Sequence, residues 1–130
     1  MRIEELKVIV TGGASGMGRT FSLELAAAGA QVVAADVNTD ALTEITKASD
    51  GAVFGVECNV ADEASVASLF EVAYKHMGLV NGLINNAGII RDGLLIKKDR
   101  ETGEISNLSM KKWQQVIDVN LTGPFLCARE

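Results

Sequence analysis

"VTGGASGMGR", residues 10–19, decides how this chain is read. An apolar run, Leu6 to Thr11, leads into it, and a helical pattern, Gly16 to Ala28, leads out. A strand that turns through glycines into a helix leaves the first helical N–H groups free, and the helix dipole adds positive charge at the same end. The glycines fall at 12, 16 and 18, so no window fits the G-x-G-x-x-G spacing. The physical roles are still available. Gly12 permits a tight turn out of the strand, Gly16 lets backbone approach a phosphate, and Gly18 lets the helix pack close to the sheet. Glycines in a loop also have a purely conformational reading, so the surroundings must decide.

Working outward, strand and helix patterns alternate. Ala30 to Asp36 is a second buried strand, reached through Gly29 as a C-terminal cap. Asn38 or Thr39 caps a helix whose inner face is Leu42, Ile45 and Ser49. Ala52 to Cys58 is a third strand. Asp62 caps a helix with Val66, Leu69, Phe70, Ala73 and Met77 on one stripe, closed by Gly78. Leu83 to Asn86 is a fourth strand. Residues 89–108 show no strong period, although Asp99 to Glu104 reads as the turn of a small excursion, with Leu95-Ile96 opposite Ile105. Ser109 caps a last helix carrying Met110, Trp113, Val116, Ile117 and Leu121. The first helix is expected to bury Met17, Phe21, Leu25 and Ala28.

Strands apolar on both faces and joined by helices predict a parallel α/β sheet, doubly wound, in strand order 3-2-1-4. The 130 residues allow one domain of ordinary size, and 48% hydrophobic with 22% charged residues fits a folded core. The formal charge of -5 points away from nucleic acid or an anionic membrane as partner. The run Lys97-Lys98-Asp99-Arg100 reads as a solvated loop. Two cysteines, Cys58 and Cys127, make neither a disulfide framework nor a metal site, and His76 reads as a surface or capping residue. No signal peptide or 18-residue apolar run occurs, which predicts a reducing, cytoplasmic setting.

Asp36 joins the loop to a ligand. It ends the second strand, where an acid can accept hydrogen bonds from both hydroxyls of an adenosine ribose and repel a 2′-phosphate. No basic residue stands at Ser15 or Val37 to offset that repulsion. NAD(H) is therefore predicted over NADP(H). The competing reading has Asp36 capping the turn before the second helix.

Four segments, "TGGASGMG" (11–18), "CNV" (58–60), "NNAG" (85–88) and "VNLTG" (119–123), stand in the order and near the spacing of the short-chain dehydrogenase/reductase family. The chain resembles the N-terminal part of that family over its whole length. The resemblance implies an NAD-dependent Rossmann enzyme. Its cofactor-binding residues would be Gly12, Ser15, Gly16, Met17, Gly18, Asp36, Val37, Asn59, Val60, Asn86, Ala87 and Gly88. Asn59 stands where the family more often has Asp, facing the adenine amino group. Asn120 matches a catalytic Asn whose carbonyl holds a relay water. Pro124, four residues on, has no N–H to occupy that carbonyl. "RDGLL", 91–95, resembles members acting on 3-oxoacyl or 3-hydroxyacyl thioesters.

The family's Ser and Tyr-x-x-x-Lys are not matched. The one tyrosine, Tyr74, is followed four residues later by Gly78 and precedes "NNAG". Residues 1–130 are thus expected to be the incomplete front of a longer alcohol/ketone oxidoreductase, without turnover alone, with exposed edges that favour homo-oligomers. A non-catalytic nucleotide-binding or regulatory module is the alternative, and another Rossmann-type protein, such as a methyltransferase, is a third.

Overall fold

The computed structural model describes residues 2–130. After a short 3-10 turn at Ile3–Glu5 come β1 (Lys7–Thr11), α1 (Gly16–Ala27), β2 (Gln31–Asp36), α2 (Thr39–Ala48), β3 (Val53–Glu57), α3 (Glu63–Met77) and β4 (Gly82–Ile84). A ribbon of β5 (Ile96–Lys98) and β6 (Ile105–Asn107) follows, then α4 (Met110–Ile117), a π turn (Asp118–Thr122) and α5 (Gly123–Arg129). The main sheet is parallel in the order β3-β2-β1-β4, as the alternation predicted.

The pleat sorts the strand residues into two layers. Val8, Val10, Val32 and Ala34 face α2 residues Leu42 and Ile45. Ile9, Val33 and Ala35 face α3 residues Val66, Leu69, Phe70, Ala73 and Met77, together with Leu126 and Cys127 of α5. The α3 stripe is buried at every predicted position because its period matched a helix lying flat on the sheet. Its ends are also as read: Asp62 accepts from Ser65 N–H, and Gly78 closes it in the left-handed region. For α2, Asn38 rather than Thr39 is the cap, accepting from Ala41 N–H.

Two helix faces differ from expectation. On α1, Met17 is 71% and Phe21 41% exposed, while Gly18 and Ser22 are buried. The first turn of α1, pressed against the glycine loop, has no room for large side chains, while further along Leu25 packs half-buried against the core as expected. On the C-terminal segment, the expected single helix is three pieces, and Met110, Trp113 and Leu121 are exposed. Val116 and Ile117 are half-buried, but the rest of the stripe is open to solvent, so period alone misread it as an inner face.

The strands are slightly shorter than read. β4 stops at Ile84 because Asn86 N–H bonds the Thr11 hydroxyl instead of continuing the ladder. The excursion is a hairpin, but its register shifts: Ile105 faces Lys98, and Ile96 faces Asn107. Asp99 builds the turn by accepting from the N–H groups of Glu101 and Thr102, which holds its carboxyl below the ordinary range. Lys97 and Lys98 therefore lie on an exposed strand, with Asp99 and Arg100 in the turn, rather than in a plain loop. His76 is a surface residue stacked on Phe54 at 4.1 Å between ring centres.

Candidate functional site

A cleft of about 220 Å³ opens at the C-terminal ends of β1 to β4. Ligands in open parallel sheets bind at that end, beside the strand where the connection order reverses. Here β1 is that strand, flanked by β2 and β4. Gly12 and Ser15 after β1, Asp36 and Val37 at the end of β2, Asn59 and Val60 after β3, and Ala87 and Gly88 after β4 all line the cleft. Eight of the twelve predicted binding residues thus meet at one place. Cys58, Ile89 and Val119 line it too and were not predicted as site residues. Cys58 is the first residue of the "CNV" segment, Val119 the first of "VNLTG", and Ile89 directly follows "NNAG", so the segments themselves carried the signal.

The other four predicted residues do not line the cleft. Gly16 and Met17 are exposed at the start of α1, and Gly16 has φ +50° with no atom near a hypothetical Cβ. Gly18 is different. A Cβ there would run into the Gly12 carbonyl and lie 2.5 Å from Asn86 Nδ2. The helix start is thus drawn in until only hydrogen fits, against the Gly12 carbonyl and Asn86 rather than against the sheet expected for Gly18. Ser22 fixes it from beneath by donating to the carbonyls of Gly13 at 3.1 Å and Gly18 at 2.9 Å.

Asn86 is a brace. Its Nδ2 donates to the carbonyls of Thr11 at 3.0 Å and Gly12 at 3.2 Å. Thr11, buried, accepts through Oγ1 from the N–H groups of Asn86 and Ala87, each at 3.1 Å. One hydroxyl and one amide therefore lock the exits of β1 and β4 together. This is the strand-holding role the sequence allowed for Asn86.

Asp36 is half-buried and divides its carboxylate. Oδ1 accepts from Asn38 N–H at 3.1 Å and Oδ2 from Ala14 N–H at 3.3 Å. The bond from Asn38 N–H accords with the capping reading, and Asp36 also lines the cleft. Each oxygen keeps a further acceptor position for a ligand. Asn59 uses Oδ1 to accept from Ala61 N–H at 3.1 Å, so this amide oxygen already carries one bond.

Asn120 lies on the π turn, outside the cleft lining, and pairs with Ile89. Nδ2 donates to Ile89 O and Oδ1 accepts from Ile89 N–H, both at 2.9 Å. Pro124 stands in the first turn of α5 and offers no N–H to the Asn120 carbonyl. The ladder there widens, with Gly123 N–H reaching back to Asp118 O. Such widened turns recur at functional sites.

Burial raises both thiols, Cys127 to about 11 and Cys58 in the same direction, the latter opposed by a hydrogen bond with Ser65. Neither is an activated nucleophile. Among the described residues no group of three His, Cys, Asp or Glu could hold a metal, and no helix is long and apolar enough to cross a membrane.

Residues 6–130 match the family model of the short chain dehydrogenases. The chain is 35% identical over 122 residues to a 2,5-dichloro-2,5-cyclohexadiene-1,4-diol dehydrogenase of Sphingobium indicum, covering 94% of this chain and 45% of that one. It is 34% identical over 128 residues to a 3-oxoacyl-[acyl-carrier-protein] reductase of Thermotoga maritima, covering 96% and 48%. A 3-ketoacyl-(acyl-carrier-protein) reductase of Brucella melitensis, solved with NADH, superposes with a TM-score of 0.82 at 26% identity, over 98% of this chain and 49% of that one. The chain thus spans about half the length of the curated relatives it matches. With this match, the 3-2-1-4 sheet and the glycine loop beneath the cleft in agreement, the chain belongs to the short-chain dehydrogenase family.

Proposed function

We propose that residues 1–130 are the cofactor-binding part of an NAD(H)-dependent oxidoreductase acting on an alcohol or ketone. The observation that carries this reading is the cleft itself, in which the glycine loop, Asp36, Asn59 and Ala87-Gly88 converge. The close approach at Gly18 supports the fit, because it is the kind of drawn-in loop that admits a pyrophosphate. A nicotinamide dinucleotide, when bound, supplies the hydride acceptor or donor. The protein's part is to hold it.

In this reading Gly12, Ser15, Gly16 and Met17 present backbone to the pyrophosphate, over Gly18. Asp36 and Val37 take the adenosine ribose, and Asn59 and Val60 the adenine. Asn86 stays a brace, while Ala87 and Gly88 flank the nicotinamide ribose. Asn120 offers its backbone carbonyl to a water of the proton relay, which Pro124 leaves free of its usual helical donor. No Tyr-x-x-x-Lys occurs among the 130 residues, so this chain is not expected to turn over alone. Two relatives named as 3-oxoacyl or 3-ketoacyl reductases support a 3-oxoacyl or 3-hydroxyacyl substrate for the whole enzyme. Two free, buried cysteines fit a reducing, cytoplasmic setting.

Titration calorimetry with NAD and NADP tests the cofactor. NAD is expected to bind at least tenfold tighter, because a 2′-phosphate would meet the Asp36 carboxylate. Tighter binding of NADP would overturn the assignment. Met110, Trp113, Leu121 and Phe125 of the C-terminal segment are exposed apolar side chains, which supports self-association. Sedimentation velocity should show dimers or larger species at micromolar concentration, and Trp113→Glu with Phe125→Glu should shift the protein toward monomer.

A further inference from the structure

We infer that Asp36 is also a positioning residue for the glycine loop, so that one carboxylate both reads the ribose and shapes the phosphate cradle. The inference rests on the nucleotide reading of the cleft and extends it.

The loop is tied to β2 at two successive amides. Gly13 N–H donates to the Ala35 carbonyl at 3.1 Å. Ala14 N–H donates to Asp36 Oδ2 at 3.3 Å. The first bond is backbone to backbone and survives any substitution at position 36. The second depends on the Asp36 side chain. Ala14 is 4% exposed, and among the described residues its N–H has no other acceptor. Without the carboxylate this amide loses its partner inside the protein, a loss that a native fold rarely tolerates. Ser22 holds the same stretch from the other side, through the Gly13 and Gly18 carbonyls. Residues 12–14 are therefore held from both sides, whereas Ser15, Gly16 and Met17 are exposed, and the carbonyls of Ser15 and Gly16 are bonded within α1, by Arg19 N–H and the Thr20 hydroxyl. Ala14 is the last gripped residue before the exposed part.

Charge and geometry predict opposite effects, which makes the idea decidable. If Asp36 touched only the ribose, removing its negative charge would strengthen binding of a bare phosphate ligand. If Asp36 holds the loop, removing it weakens the same binding. Inorganic pyrophosphate, which has no ribose, is the suitable probe.

The primary test is amide hydrogen exchange in the free protein, followed by NMR. In Asp36→Ala the Ala14 amide should exchange about tenfold faster relative to Gly13, whose bond to Ala35 is untouched. Asp36→Asn keeps an acceptor and should restore part of that protection. An unchanged Ala14-to-Gly13 ratio in Asp36→Ala would overturn the inference. Should the alanine variant not fold, Asp36→Asn alone decides: the ratio is expected to rise severalfold, and no change refutes it. In calorimetry with pyrophosphate, Asp36→Asn should bind at least as tightly as the native chain, and Asp36→Ala more weakly than either. Alanine binding as tightly as asparagine would also refute it. Absence of pyrophosphate binding in the native chain would instead count against the nucleotide reading, leaving the exchange result to judge the positioning role.

Discussion

Asn120 and Ile89 hydrogen-bond in both directions, the asparagine side chain imitating a neighbouring strand against the Ile89 backbone. Ile89 lines the cleft, so the pair ties the cleft wall to the π turn. Asn120→Ala should lower stability by about 1 kcal/mol, the usual size for exposed bonds of this kind. Asn120→Asp sets a carboxylate oxygen against the Ile89 carbonyl in place of the Nδ2 donor, and should destabilise at least as much as alanine at neutral pH. Urea denaturation followed by Trp113 fluorescence would measure both. A variant as stable as the parent would show that the clamp is ornamental to the fold.

Gly18 and Gly16 separate two reasons for glycine. At Gly18 an added Cβ would strike the Gly12 carbonyl and crowd Asn86. At Gly16 the space is open and only the positive φ objects. Gly18→Ala is expected to destabilise by about 3 kcal/mol, from a clash with backbone that cannot move aside. Gly16→Ala should cost about 1 kcal/mol. Thermal unfolding would show the difference as a larger fall in Tm for Gly18→Ala.

The buried thiols make alkaline stability a third test. Burial lifts the Cys127 pKa from 9.0 to about 11. The folded state therefore prefers the protonated, uncharged thiol more than the unfolded chain does. In this window the native state binds more protons, so stability is complete below about pH 9 and declines as pH rises toward 11. A decline of about 2 kcal/mol is expected across that range. Cys127→Ala should remove much of the pH dependence while lowering stability at neutral pH through the cavity it leaves. Equilibrium unfolding at several pH values would reveal a flat profile if the argument were wrong.

What the sequence made legible follows from period and distance. The 3-2-1-4 sheet and the α3 stripe were readable because the hydrophobic pattern repeats with the geometry of the element. That Gly12, Ser15 and Asp36 would meet was readable because adjacent strand ends bring them to one cleft. The inner face of α1 was not, since its buried positions are Gly18 and Ser22, which hydrophobicity does not mark. Trp113 and Met110 looked like an inner face only because period says nothing about whether a partner is present. The Asn120–Ile89 clamp and the Thr11 hydroxyl that gathers Asn86 and Ala87 join residues far apart in sequence. No local signal encodes such pairings. The hairpin itself was foreseen from its turn, but its register was missed because short exposed strands lack a buried face to fix it.

The central place of β1 has a consequence for how the chain is made. One flank of β1 is filled early by β2, but the other receives β4 only after α2, β3 and α3 have emerged. At roughly 5–20 residues per second, synthesis leaves that flank without its neighbour for several seconds. During this interval Val8, Ile9 and Val10 present an unpaired apolar strand to the crowded exit of the ribosome. The nascent chain is thus most vulnerable to mispairing before Leu83 arrives, and slowing translation between β2 and β4 would lengthen that exposure.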